Sequence, residues 1–252
     1  AEHVLADYAR LVVIGDAAVL ERAVGVTGAP LRIRTVRVIE EARFATGEVD
    51  VLDLGNVVLS QLRMGEIQEM AGEAACAYVR TAASLAIAGR VDGIVTSAIN
   101  KAALHLAGHH YDGHTGLLAS LCGVSGATMM LVADGLRVSH VSTHLSLRQA
   151  IDRVRPERII KVIELTAAAL RGLGIAQPRI ALAGLNPHAS ENGLFGDEEA
   201  RYIVPAAEEA RRRGYEVSGP WAGDTVFYRT WQGEFDGAVA MYHDQGHVAA
   251  KM

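Results

Sequence analysis

The 252-residue chain sets 24 Lys and Arg against 29 Asp and Glu, a net charge of −5, with 50% of its residues hydrophobic and 5% aromatic. That balance excludes a largely disordered chain and suits one or two domains with cores of their own. The longest basic run is Arg211-Arg212-Arg213, no apolar run reaches the ~18 residues of a spanning helix, and Ala1-Glu2-His3 starts no apolar leader, so the expectation is a cytoplasmic protein with neither a nucleic-acid nor a membrane partner.

In chain order, short β-branched runs bounded by Gly and Asp predict strands at 11–15, 33–39, 93–97, 128–132, 136–142, 179–185 and 237–242. Longer helix-periodic stretches between them predict helices at 66–88, 148–173 and 197–213. The last of these starts on Asp197-Glu198-Glu199 and ends on three arginines before Gly214, the polarity a helix dipole favours. Alternation of this kind argues an α/β fold with largely parallel sheets. No linker-like or repetitive tract marks a domain boundary. Cys76 and Cys122, the only cysteines, sit among small apolar residues and read as two buried thiols.

Four of the predicted strands run straight into polar loops. They lead to Ala98-Ile99-Asn100-Lys101, to Thr143-His144-Leu145-Ser146, to Asn186-Pro187-His188-Ala189, and to His243-Asp244-Gln245-Gly246-His247. Ligands of open α/β sheets bind beyond the carboxyl ends of the strands, so parallel strands would bring these loops to one crevice. Three histidines from three loops, His144, His188 and His243, suit a divalent-metal site with open positions. His243 and His247 share an i, i+4 spacing, but Gly246 and the lack of H-E-x-x-H speak against a hydrolase helix.

Only three lysines occur, Lys101, Lys161 and Lys251. Lys161 falls on the solvated face of a helix. Lys101 and Lys251, at or near loops, are candidates for binding phosphate or carboxylate or for moving a proton. Gly113-His114-Thr115-Gly116 looks like a helix start able to hold an anion, while His105, His109 and His110 read as surface residues. No dinucleotide fingerprint, phosphate loop or nucleophile elbow occurs. The residues alone therefore reach a metal-assisted reaction on a small anionic substrate.

The same loops resemble the 4-hydroxythreonine-4-phosphate dehydrogenase family of pyridoxal phosphate biosynthesis. The matching text is Thr96-Ser97-Ala98-Ile99-Asn100-Lys101, Gly113-His114-Thr115, Ser142-Thr143-His144-Leu145, Leu185-Asn186-Pro187-His188, Gly193-Leu194-Phe195-Gly196-Asp197, Gly223-Asp224-Thr225-Val226-Phe227 and Met241-Tyr242-His243-Asp244-Gln245-Gly246-His247. The resemblance covers the chain from about residue 65 onward. It implies a two-domain α/β/α sandwich like that of isocitrate and isopropylmalate dehydrogenases, here divided at 1–112 and 113–252, in a homodimer whose active sites are shared between subunits.

Metal binding carries over to His144, His188 and His243. Substrate binding carries over to His114, Thr115 and Lys251, with Lys101 and Asp224 beside them, and Lys251 and Asp244 become the catalytic candidates. The implied reaction is oxidation of a secondary alcohol of a small phosphorylated hydroxy acid, such as 4-phosphohydroxy-L-threonine, with NAD or NADP and zinc, magnesium, manganese or cobalt, followed by loss of carbon dioxide. The alternatives are a paralogue acting on 4-phospho-threonate, 4-phospho-erythronate or a cis-dihydrodiol dicarboxylate, a metal-dependent hydrolase or lyase using no NAD, and a non-catalytic binding protein.

Three positions depart from the family's pattern. Ala98 stands for a proline, Ser190 for a glycine, and Pro220-Trp221-Ala222-Gly223 for a more proline-rich stretch. The family also begins with a strand and a Gly-Asp-Pro loop and continues beyond the lysine matched by Lys251, so a longer parent chain is expected.

Overall fold

The structure, a computed structural model, describes residues 8–111 and 113–252. They fall into two compact units, Ala1–Ser125 and Gly126–Met252. The sequence drew the division at 112/113. Packing draws it at 125/126, because Leu117 is buried in one cluster with Cys76, Val79 and Leu104.

In the first unit β1 (Val13–Gly15), α1 (Ala17–Thr27), β2 (Arg32–Val36) and β3 (Glu48–Asp53) build a parallel sheet of order β1-β3-β2. The Asp16 side chain caps α1 through the Val19 N–H and also accepts from the Val57 N–H, while Asp53 accepts from the Ala17 N–H, so two carboxylates fasten the ends of β1 and β3. Strand β3 escapes the sequence reading because it carries three acidic residues in six positions. One of them, Asp50, is buried, pairs with Arg34 at 3.0 Å and accepts from the Arg43 and Phe44 N–H groups.

Next come α2 (Glu69–Ile87), α3 (Lys101–Leu106) and α4 (His114–Leu121). Helix α2 lies close enough to α3 that a Cβ on Gly72 would fall 1.9 Å from the Ala103 carbonyl oxygen. The strand expected at 93–97 does not form. No described strand lies beside it to complete its ladder, and Val95 is 93% exposed. Cys76 is buried as expected, whereas Cys122 is exposed, because it caps the end of α4 instead of facing the core.

The second unit begins with a hairpin, β4 (Met130–Ala133) and β5 (Leu136–His140), turned through Asp134 and Gly135, both at positive φ. Helix α5 (Leu147–Arg153) starts on a capping box from Ser146 and Gln149. The single helix expected over 148–173 breaks here, since Arg155 precedes a proline and adopts extended backbone, and Pro156 opens α6 (Pro156–Gly172). After β6 (Arg179–Ala183), the helix expected from 197 starts as a π-helical turn over Glu199–Ile203, and regular α7 runs over Val204–Arg212. Strand β7 (Glu216–Trp221) hides in the sequence behind Gly219-Pro220, which only an edge strand tolerates. Helix α8 (Val226–Trp231), β8 (Gly237–Ala240) and α9 (His243–Lys251) complete the unit.

The five strands order β4-β5-β8-β6-β7, and all pairs except β4-β5 are parallel. Side-chain size alternates across the sheet. Ile180 and Leu182 of β6 and Val239 of β8 join the core built on α6 and α7, whereas Ala181, Ala183, Ala238 and Ala240 face the cluster containing Val226 and Phe227 of α8. The alanine face lets the start of α9 come close: a Cβ on Gly246 would meet His140 Nε2 at 2.5 Å and Val138 at 2.7 Å. Among the described residues no helix is long and apolar enough to cross a membrane.

Burial pushes the His140 imidazole down to about 4, against its hydrogen bond to the Met129 carbonyl. His140 is therefore neutral in the folded unit while the unfolded chain protonates near pH 6.5. Stability present above pH 6.5 is expected to fall by on the order of 2 kcal/mol as pH drops toward 4. Both tryptophans, Trp221 and Trp231, lie in this unit, so denaturation followed by their fluorescence measures it. His140→Gln is expected to flatten the profile, and an unchanged slope would assign the pH dependence elsewhere.

Candidate active site

Strands β5, β8 and β6 are adjacent and parallel, so their carboxyl ends stand side by side. Each releases one of the histidine loops singled out in the sequence: His144 follows β5, His243 opens α9 after β8, and His188 follows β6. Three of the four loops expected to converge thus leave neighbouring strand ends. The fourth loop, with Lys101, belongs to the first unit and follows no strand.

Two side chains fasten the three strand ends together. Gln245 accepts from the Met241 N–H at 2.7 Å and donates to the Gly184 carbonyl at 2.6 Å, joining β8 to β6. Ser142 donates to the Met241 carbonyl at 3.0 Å, joining β8 to β5. Neither residue stood out as functional in the sequence. Gln245 sits inside the histidine-bearing loop, and only the strand order tells what its amide reaches.

The His243 and His144 rings lie 5.7 Å apart between centroids. Asp244 Oδ1 lies 2.7 Å from His243 Nδ1, which fixes the imidazole and leaves Nε2 free for a ligand. The i, i+4 pair does lie on a helix, contrary to the weight given to Gly246. The His247 ring stacks on His243 at 3.6 Å, and its Nδ1 is engaged by the His243 carbonyl. Burial holds His247 below the ordinary imidazole range, helped by neighbouring His243 and Lys251. Lys251 is exposed two helical turns beyond His243 on α9.

His188 occupies a segment without parallel among the described residues. His188, Ala189, Ser190, Glu191 and Asn192 have φ of 53°, 52°, 69°, 44° and 58°, a left-handed run with no glycine. The His188 ring is exposed, 6.3 Å from Phe195. Among the described residues no group of three or more His, Cys, Asp or Glu is gathered to hold a metal ion.

Asp224 is exposed in the turn before α8, beside a groove of about 700 Å³ lined by Phe227, Tyr228, Trp231, Gln245 and Val248. In the first unit, His114 and Thr115 open α4, the helix start the sequence anticipated, whereas Lys101, expected in a loop after a strand, opens α3 behind the Asn100 cap. The Lys101 side chain passes 3.9 Å from where a Gly113 Cβ would stand, so all three residues lie at two neighbouring helix starts. His114 Nε2 is buried without a hydrogen-bond partner. This cluster presents an ammonium, an imidazole, a hydroxyl and free N–H groups, the chemistry that binds a phosphate or carboxylate.

The family model for "Pyridoxal phosphate biosynthetic protein PdxA" matches residues 7–252. A D-threonate 4-phosphate dehydrogenase of Cupriavidus necator is 47% identical over 96% of this chain and 73% of its own length. One from Salmonella typhimurium is 46% identical over 97% and 75%. The crystal structure of a 4-hydroxythreonine-4-phosphate dehydrogenase from Klebsiella pneumoniae superimposes with a TM-score of 0.91 at 45% identity, covering 95% of this chain and 74% of that one. A terephthalate 1,2-cis-dihydrodiol dehydrogenase from Burkholderia xenovorans gives a TM-score of 0.66 at 30% identity, over 94% and 73%.

At the junction of β6 with the His188 loop, a Cβ on Gly184 would lie 2.8 Å from Ala189 Cα. Backbone cannot yield there as a flexible side chain would. Gly184→Ala is expected to cost about 3 kcal/mol, read as a lower denaturation midpoint, and a variant of native stability would show that the two segments do not touch.

Proposed function

The chain belongs to the PdxA family of pyridoxal phosphate biosynthetic proteins and is a dehydrogenase; from that premise we propose that it oxidises the secondary alcohol of a small 4-phosphorylated hydroxy acid. The observation that carries the reading is the row of three parallel strand ends, each with a histidine loop, one histidine already oriented by a carboxylate. D-Threonate 4-phosphate is the preferred substrate, because the relatives bearing that name are 46–47% identical. 4-Phosphohydroxy-L-threonine is the second reading, favoured by the structural neighbour named for it.

In this reading Lys101, His114 and Thr115, at the two helix starts of the first unit, supply the chemistry for an anionic group of the substrate, and Lys251 and Asp224 are further substrate-binding residues. The hydroxyl loses its proton to a base, and NAD or NADP, when bound, would supply the acceptor for the hydride of the carbon bearing that hydroxyl. The product is a keto acid whose carboxylate is β to the new carbonyl. It can leave as carbon dioxide, with its bonding pair passing into an enolate. Lys251, with its ammonium on a flexible stem, is the group proposed to return a proton, and Asp244 holds the His243 imidazole in one orientation.

A divalent ion fits the donor set, since imidazole nitrogens suit zinc, whereas magnesium and manganese favour oxygen ligands. His144, His188 and His243 would hold it. When bound, the ion would polarise the alcohol and then the ketone as a Lewis acid. The resemblance to the family adds a homodimer in which a second copy contributes to the donor set.

The test is a panel of D-threonate 4-phosphate, 4-phosphohydroxy-L-threonine and a cis-dihydrodiol dicarboxylate, each with NAD or NADP and added zinc, manganese or magnesium. Absorbance of reduced nicotinamide is expected with the phosphorylated acids, highest with the first. Substrate consumption without that absorbance would replace the dehydrogenase by a hydrolase or lyase. His188→Ala is expected to abolish bound metal and activity with the circular dichroism unchanged, and a variant of normal metal content would remove His188 from the site.

A further inference from the structure

Behind the His188 loop lies a buried carboxylate to which the proposed reaction gives no role. Glu199 is 3% exposed at the start of the π-helical turn. Its Oε1 accepts from the Leu185 N–H at 2.8 Å and the Asn186 N–H at 2.7 Å, and its Oε2 accepts from Asn186 Nδ2 at 2.9 Å. None of the ion pairs among the described residues involves it. Burying a carboxylate is costly, and here the compensation comes from three amide donors of two residues just ahead of His188.

The backbone immediately after Asn186 and Pro187 is strained. Left-handed backbone is disfavoured for any residue but glycine, and five such residues in succession persist only where the surroundings over-determine them. Downstream, the loop is closed on itself by the Gly193 N–H to Ser190 Oγ at 3.0 Å and the Phe195 N–H to the Ser190 carbonyl at 3.1 Å. Upstream, Glu199 is the anchor. The wide π-helical turn brings it within reach, and Gly184 leaves the room: a Cβ there would stand 3.2 Å from Glu199 Oε1.

We propose that Glu199 is a positioning residue that sets the direction in which the His188 loop leaves β6, and so the presentation of the His188 imidazole. The proposal rests on the reading of His188 as a metal ligand. Its chemistry distinguishes a carboxylate from its own amide. With Gln at 199, the oxygen can serve the two backbone N–H groups, but the new NH₂ then meets Asn186 Nδ2, donor against donor. Asn186 cannot escape by flipping its amide, because its oxygen would then face Glu198 Oε2, to which Nδ2 now donates at 2.8 Å.

The experiment is zinc titration of the metal-free full-length protein against a chromophoric chelator, with the cobalt(II) absorption spectrum as a report on ligand geometry. Glu199→Gln is expected to weaken zinc binding about 10- to 100-fold and to alter the cobalt spectrum, with circular dichroism of the metal-free protein unchanged. Glu198→Gln with Glu199→Gln is expected to recover most of the loss, since Asn186 can then flip and accept from both new amides. A merely structural carboxylate would not be rescued by losing a second one. Zinc affinity of Glu199→Gln equal to the unaltered protein's, while His188→Ala loses the metal, overturns the positioning role and leaves the site standing. Normal zinc binding by His188→Ala overturns both. Should Glu199→Gln not fold, Asn186→Ala removes the Nδ2 bonds to Glu199 Oε2 and Glu198 Oε2 while both backbone N–H bonds to Glu199 Oε1 remain, and unchanged zinc affinity in that variant also overturns the proposal.

Discussion

The backbone of Met241 is held from both sides. Its N–H is taken by Gln245 and its carbonyl by Ser142, and the other end of the Gln245 amide takes the Gly184 carbonyl. These three hydrogen bonds lie just beyond the last ladder pairs of β5, β8 and β6, where parallel strands would otherwise separate and leave polar groups unpaired. A side-chain amide suits the task because it offers donor and acceptor about 2 Å apart at one fixed angle. Everything proposed for the second unit depends on these ends keeping their spacing, since the three histidines leave from them.

The same region explains the two sizes of side chain in the sheet. Large aliphatics on the α6/α7 face supply hydrophobic burial, whereas alanines on the other face allow α9 to approach until Gly246 touches Val138 and His140. The close approach has a cost: His140 Nε2 is left buried without a partner. In return, the first turn of α9 and its histidine sit on a floor of strand backbone, the kind of rigid support that a precise site requires.

How much of this was legible varies with the kind of signal. Strands β5, β6 and β8 were legible as β-branched or alanine-rich runs with Gly or Asp at one boundary, and the polar loops after them as candidate sites, because placing a ligand beyond the carboxyl ends of strands needs only chain order and parallelism. Strand β3 was not, since Asp50 breaks the apolar pattern and is rescued by Arg34, a partner 16 positions away. The break at Pro156 was in principle readable, for the residue before a proline leaves the helical region, yet the apolar periodicity on both sides masked it. The segment 93–97 shows the converse, a good strand sequence with no strand beside it. Gln245 and Glu199 were illegible for a physical reason: their value lies in atoms 61 and 14 positions away, which only the fold brings near.

The three departures from the family's pattern can be weighed in the same terms. Ser190, where the family has glycine, sits at φ 69° and so bears a left-handed strain of roughly 1–2 kcal/mol. Its hydroxyl accepts from the Gly193 N–H, a bond worth roughly 1 kcal/mol, and serine spares the larger unfolded-state entropy of glycine. These contributions nearly cancel, which explains how the loop keeps its path with serine in place. The side chain is 3% exposed and committed to its own loop, so it offers nothing to a substrate. Trp221 is similarly engaged, its ring N–H donating to Ser218 and Arg229 lying 4.1 Å over its face. Ala98 alone is exposed among these positions. Ser190 and Trp221 are thus spent on holding their own segments.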